Sequence, residues 1–178
     1  MSQFNQGSID PAAVIIADWS VVRARYSNTW YDLGTCKGGV ATVTRGTYEH
    51  MDTSYPRQID VVIPTSLDMS FEGDLDEPNR QNVALVTGLA PNFSGVYMYY
   101  GALAAPVYFT LFAERERPDL KLIQFLIYKA AVTGEASMGS ADEAVPVHLA
   151  AKGVSDQDGS YGSTAEGRMG WWRVPAKS

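Results

Sequence analysis

Between residues 67 and 72 the chain alternates without a fault: Leu67, Met69 and Phe71 are apolar, while Asp68, Ser70 and Glu72 are polar. Only extended backbone puts successive side chains on opposite faces, so this stretch reads as a strand with one face in a core and the other on a polar surface. Directly afterwards the period lengthens. Asp76 is placed to accept from free backbone N–H groups, Glu77 and Pro78 suit a first turn, and Val83 and Val86 form an apolar stripe widened by Leu85 and Leu89. Gly88 offers a left-handed stop. The expectation is one helix over about residues 77–87, roughly three turns long. A half-polar strand running straight into a short helix confines the chain to sheets with that helix laid against them.

The remaining residues supply the sheets. Ala17, Trp19 and Val21 alternate against Asp18 and Ser20 in a first strand over residues 14–23; Asn28, Asp32 and Gly34 then break the pattern, and a strand follows over 40–45. Residues 58–64 carry Ile59, Val61 and Ile63 on one face, and residues 96–100 read as a further strand. Residues 107–113 and 120–132, joined by the charged 114–119, suggest a hairpin. Both faces of the second of these strands are apolar, so both are expected to meet protein. A last core strand is expected over 144–154. Between strands, residues 46–56 are polar and aromatic and read as a long loop, of the kind that is functional or ordered by a partner. The fold class expected is mainly β: sandwich- or barrel-forming sheets, one flanking helix and a long inter-strand loop. A single domain spans 1–178, with an arm at 1–12 and an extension at 155–178 whose Trp171 and Trp172 suggest docking.

Charge excludes one class of function. With 14 basic against 20 acidic residues the chain carries −6, so it is not built to grip phosphates by releasing counterions. No apolar run approaches the ~18 residues that cross a bilayer, and residues 1–11 read as neither signal peptide nor anchor. Cys36 is the sole cysteine, which excludes an internal disulfide and fits a reducing compartment. Catalytic patterns are not found. His50 and His148 are the only candidate bases and neither sits in a motif; Cys36 reads as a small hydrophobe. Asp156-Gln157-Asp158-Gly159 lacks the later ligands of a calcium loop, and Asp74, Asp76 and Glu77 are accounted for by helix capping. No catalytic residue, cofactor or metal is therefore expected. Tyr97, Tyr99, Tyr100 and Trp30 leave open a rival reading as a carbohydrate-binding β-sandwich module.

The order of elements, with a strand pair containing residues 30–34, a long polar excursion, strands over 58–72, and a helix start with Asn79, Asn82 and Leu85 ending at Gly88, resembles the major tail tube protein of long-tailed bacteriophages. The likeness continues through the strand 120–132, a small-residue loop and the strand 144–154, and it rests on element order rather than an invariant motif. It implies a structural virion protein of the tail, assembled in the host bacterial cytoplasm, with no enzymatic activity and no membrane. Six copies would close into a ring and rings would stack into the conduit for double-stranded DNA. Partners would be other copies of the chain and further tail proteins such as the tape measure, tail terminator and baseplate or tip proteins. On this reading Gln58, Asp60, Asp68, Ser70 and Glu72 face the lumen, where an acidic wall repels DNA within about a Debye length, ~8 Å. Tyr48, Glu49, His50 and Tyr55 make ring-to-ring contact.

Overall fold

A computed structural model describes residues 12–51, 59–92, 106–116, 121–133, 147–162 and 169–174. They form seven strands and one helix: β1 (Ala12–Tyr26), β2 (Thr29–Met51), β3 (Ile59–Leu75), α1 (Arg80–Val86), β4 (Tyr108–Glu116), β5 (Leu122–Val132), β6 (Val147–Val154) and β7 (Gly170–Arg173). All pairings are antiparallel, in the order β4-β1-β2-β3-β6-β5-β7, and β4 also pairs with β5. That last pairing closes six strands into a barrel. β7 lies outside the ring order, beside β5 where β6 has not yet joined it. The mainly-β class with a single flanking helix holds.

Several boundaries differ from those expected, each for a local reason. Ser27 and Asn28 take positive φ (47° and 63°) between the paired residues Tyr26 and Thr29, making a two-residue hairpin turn. The break therefore occupies two residues only, and β2 starts at Thr29 instead of residue 40. Residues 58–64 and 67–72 are not two strands: from Ile59 onward they are one strand, β3, paired with β2 throughout. A register shift between Gly46 and Thr47, around Thr65, is what makes the pattern look interrupted. The loop expected over 46–56 is strand as far as Met51, because Tyr48, Glu49 and His50 find backbone partners in Ile63, Val62 and Val61.

The helix is shorter than expected and starts later. Asp76 does not cap it, because its carboxylate accepts from Thr35 Oγ1 at 2.6 Å and pairs with Lys37 Nζ at 3.1 Å. Asn79 is the cap instead, accepting from Asn82 N at 2.9 Å, and the helix ends before Gly88 at φ 79°. Asn82 is fully buried; its amide donates to Leu33 O at 2.9 Å and to Glu77 O at 2.7 Å, fastening α1 to β2.

Inside the barrel an aromatic series crosses from β1 to β7. Trp19 meets Phe71 edge-on at 5.7 Å, Phe71 stacks on Phe125 at 6.4 Å, and Phe125 meets Trp172 edge-on at 5.9 Å. So Trp172 does dock, and what it docks on is the core of its own chain. On β5, Ile123, Phe125 and Ile127 are buried while Gln124, Leu126 and Tyr128 are half-buried, so one face fills the core and the other is partly covered. The described part of the extension expected at 155–178 also folds back: β7 pairs with β5, and Asp156 is fully buried, with Oδ2 accepting from Tyr161 N at 3.1 Å.

Packing at the Trp19 end is tight enough to dictate two glycines. A Cβ on Gly39 would stand 2.4 Å from Trp19 Cδ1, and one on Gly73 would stand 2.5 Å from Cys36 Sγ and 2.7 Å from the Gly39 Cα. Backbone cannot yield as a side-chain tip can. Gly73→Ala is expected to destabilise the fold by about 1–3 kcal/mol, the usual range for overpacking. The check is a lower urea midpoint with an unchanged slope.

Candidate functional site

The strands of the barrel are unequal in length, and the excess is the notable surface. From residue 12 to 20 β1 is paired with β2 alone, since β4 joins it first at Val21. From residue 59 to 69 β3 is paired with β2 alone, since β6 joins it first at Ser70. Among the described residues, the sheet thus leaves the barrel as a flange with two open edges that are offset along it: opposite the free edge of β1 stands β3 68–75, which from Ser70 is paired with β6, and the free edge of β3 runs mainly beside β2 alone. Beyond Thr44, the partner of Ala12, β2 and β3 continue as a two-stranded ribbon to Met51 and Ile59. Pro64 of β3 has no N–H to give a ladder, as suits an edge strand.

That ribbon is apolar and uncovered. Val62 is 54% and Ile63 48% exposed, and neighbours on a strand point to opposite faces, so neither face of the ribbon is buried. Tyr48 is 58% exposed across from Ile63. Leu67 continues the alternation of Phe71 and Met69 but is 41% exposed, so the apolar face runs on past the end of the core. An isolated two-stranded hairpin is marginally stable in water. Such a ribbon gains from being covered.

The outer face of β3, from the end of the flange at Asp68 onto the barrel beside β6, is polar. Asp68, Ser70, Glu72 and Asp74 stand in β3 between Thr44, Thr42, Val40 and Lys37 of β2 and Lys152, Ala150 and His148 of β6. Lys152 Nζ lies 3.4 Å from Asp68, and Lys37 pairs with Asp76 beside it. His148 bridges two acids, Nδ1 at 2.8 Å from Asp74 Oδ1 and Nε2 at 3.2 Å from Glu72 Oε1. The hydrogen bond to Asp74, helped by Glu72 and opposed by partial burial, raises the His148 pKa above its ordinary 6.5. Cys36, under this face, is buried; desolvation, with the charges of Asp74, Asp76 and Asp18, pushes its thiol up to about 12. It has no thiolate to offer.

Of the residues expected to line a lumen, Asp68, Ser70 and Glu72 share this face, the first two half-buried and Glu72 exposed. Asp60 lies on β3, in the ribbon, and Gln58 falls outside the described residues. Of the expected ring-to-ring residues, Tyr48 and Glu49 are exposed on the ribbon, His50 is in the same strand, and Tyr55 falls outside the described residues. The part played by Lys152 and His148 was not visible in sequence, since both are separated from their acids by more than seventy residues. Trp30 borders an apolar groove of about 510 Å³ with Arg23, Asp32, Phe112, Leu126 and Trp171, while Tyr97, Tyr99 and Tyr100 lie outside the described residues. No described helix is long and apolar enough to cross a membrane.

Compared with known proteins, the chain matches no family model and no curated protein.

The histidine bridge has a definite pH signature. A folded-state pKa above the unfolded value of about 6.5 means that the bridge stabilises fully below that pH and that its contribution fades as pH rises through the folded pKa. His148→Gln should therefore lower Tm relative to the parent chain more at pH 5.5 than at pH 8, as read by thermal melts in the two buffers. A difference that grows toward pH 8 would reverse the assignment.

Proposed function

We propose that the chain is a structural subunit that assembles with copies of itself into rings and a hollow tube, as the resemblance to phage tail tube proteins implies, and that it acts by passage rather than by catalysis. The observation that carries the reading is the flange, with two edges open among the described residues. Edges on opposite sides of one sheet cannot both be satisfied by a two-fold dimer using a single patch. They are satisfied when the β1 edge of one copy meets the β3 edge of the next, a head-to-tail contact that closes into a ring or continues as a filament. The apolar ribbon extends further than the edges and is suited to reach a neighbouring ring through Tyr48, Val62 and Ile63.

The polar outer face of β3, with its neighbours β2 and β6, would then be the wall of the bore. Its charge is more balanced than an acid-only reading of the sequence suggests, because Lys37, His148 and Lys152 each lie against a carboxylate. The physical requirement is still met. DNA adheres through cations that neutralise phosphates, with roughly six to ten such contacts giving strong binding. A wall whose cations are engaged by its own acids offers the polyanion little to hold, and the genome would slide.

Concentrated protein should form rings or tubes with a central channel in negative-stain electron microscopy, and a chain that stays monomeric when concentrated would count against the reading. Replacing Val62 and Ile63 together by lysine should leave the barrel folded, with circular dichroism and melting close to the parent, while abolishing stacked assembly. Unimpaired tubes from that double variant would remove the ribbon from the contact.

A further inference from the structure

A second concave site lies at the β1–β2 turn and shares no residue with the flange. Arg25, Tyr26, Ser27, Asn28, Tyr108, Ser160 and Tyr161 line a cavity of about 350 Å³, within the ~300–1,000 Å³ usual for small-molecule sites. Its shape is held from both ends. Ser27 and Asn28 form the tight hairpin turn, and the loop carrying Ser160 and Tyr161 is tied to Arg25, whose Nη2 donates to Tyr161 O at 2.6 Å. Thr110 Oγ1 lies 3.5 Å from the same nitrogen, and the guanidinium also sits over the Trp30 ring, 5.7 Å from its centroid. The arginine is part-buried and fixed in position rather than free to swing.

The charge of this cavity runs against that of the whole chain. Although the protein carries −6, no carboxylate is among the described lining residues and Arg25 has no acidic partner among them; acids do stand behind the Ser160–Tyr161 wall, where Asp158 accepts from Ser160 and Asp156 from Tyr161 N. A second cation stands against its wall: Lys129 Nζ is 4.7 Å from the Tyr108 ring centroid and 5.4 Å from that of Tyr161, and it too has no carboxylate partner among the described residues. With Nη2 committed to Tyr161 O, the Nε and Nη1 donors of Arg25 have no recorded acceptor in the described structure. A fixed guanidinium with spare donors is suited to a carboxylate, and Lys129 adds positive potential behind it. Around these charges are groups of a different kind. Tyrosine rings present flat π faces that accept the slightly positive C–H face of a pyranose, and Asn28 and Ser27 offer short polar side chains to hydroxyls; the Ser160 hydroxyl donates to Asp158 Oδ1 at 2.9 Å and is left to accept.

We propose that this cavity binds an acidic sugar, a pyranose bearing a carboxylate such as a uronic acid, with the carboxylate on Arg25 and the ring against the tyrosines. A neutral sugar would leave the two cations unanswered, and a bare inorganic anion would leave the aromatic lining unused. Both components are needed to account for the residues present. The site does not depend on assembly into rings, so either reading can fail without the other.

The test is isothermal titration calorimetry of the full-length chain with glucuronate, glucose and inorganic phosphate as separate titrants. Glucuronate is expected to bind, with glucose and phosphate each at least about tenfold weaker, as loss of a charge-assisted bond or of the ring contacts requires. Arg25→Lys keeps the charge but loses the planar fork, and should weaken glucuronate about tenfold or more. Because Arg25 also holds the Tyr161 loop, Lys129→Met serves as a second variant with no hydrogen bond to lose. It should weaken glucuronate roughly threefold, more so at low salt, and leave glucose unchanged. Absence of heat with glucuronate at tens of millimolar would overturn the proposal. So would equal binding of glucose, or phosphate binding as tightly with the same dependence on Lys129.

Discussion

The structure depends on how closely three strands approach at Trp19. The indole lies over Gly39 and donates from Nε1 to its carbonyl at 3.0 Å, while Gly73 of the next strand comes close enough that a methyl on it would strike the Gly39 backbone. This contact draws β1, β2 and β3 together at the point where the barrel gives way to the flange. The pairing of β1 with β2 shifts register between Ala17 and Trp19, and that of β2 with β3 between Lys37 and Val40. Each shift adds twist and bends the strand. The same three strands can thereby serve a closed barrel below and an open sheet above.

That division sets the two kinds of surface. Below the seam, hydrogen bonds run round the six-stranded circuit, and the aromatic series from Trp19 to Trp172 fills the interior. Fully burying each large apolar side chain contributes about 1.5–3 kcal/mol, so the buried Trp19, Phe71 and Phe125, with the half-buried Trp172 packed on them, are a major source of the stability that holds the longer strands in place. Above the seam the described residues expose what a solitary domain would hide: two strand edges, and apolar residues on both faces of a ribbon. The polar face of β3 carries pairs that join β6 and β2 to it, so its cations lie against its own acids while much of each side chain stays in water.

How much of this could be read in advance varies with how local the cause is. The strand at 67–72 and the two paired strands within 107–132 were visible because alternation and apolar runs are local, but Glu114, Arg115 and Glu116, expected in the turn, belong to β4, since their backbone partners are Gln124, Ile123 and Leu122. The helix was visible, but its first residue was misplaced: Asp76 has the right chemistry for a cap, and only the approach of Thr35 and Lys37 takes it elsewhere. The stretch 46–51 looked like a loop because Tyr48, Glu49 and His50 lack alternation. Their partners are 61–63, and pairing across a hairpin overrides a polar composition when the backbone hydrogen bonds are satisfied. The cavity at Arg25 was invisible, since residues 25–28, 108 and 160–161 are far apart along the chain.

By itself the sequence determined that this is a mainly-β chain with one short helix, that one face of the 67–72 strand is apolar and the other polar, and that the chain carries a net negative charge. These follow from side-chain period and composition, which no neighbour can change. Tertiary structure alone decided that the barrel closes through β4 and β5, that β2 and β3 outrun their partners, that His148 and Lys152 answer the acids of β3, and that Arg25 meets Tyr161. Those are matters of register and of contact between distant segments, and register is set by the packing at Trp19, Gly39 and Gly73 rather than by any one segment's preferences.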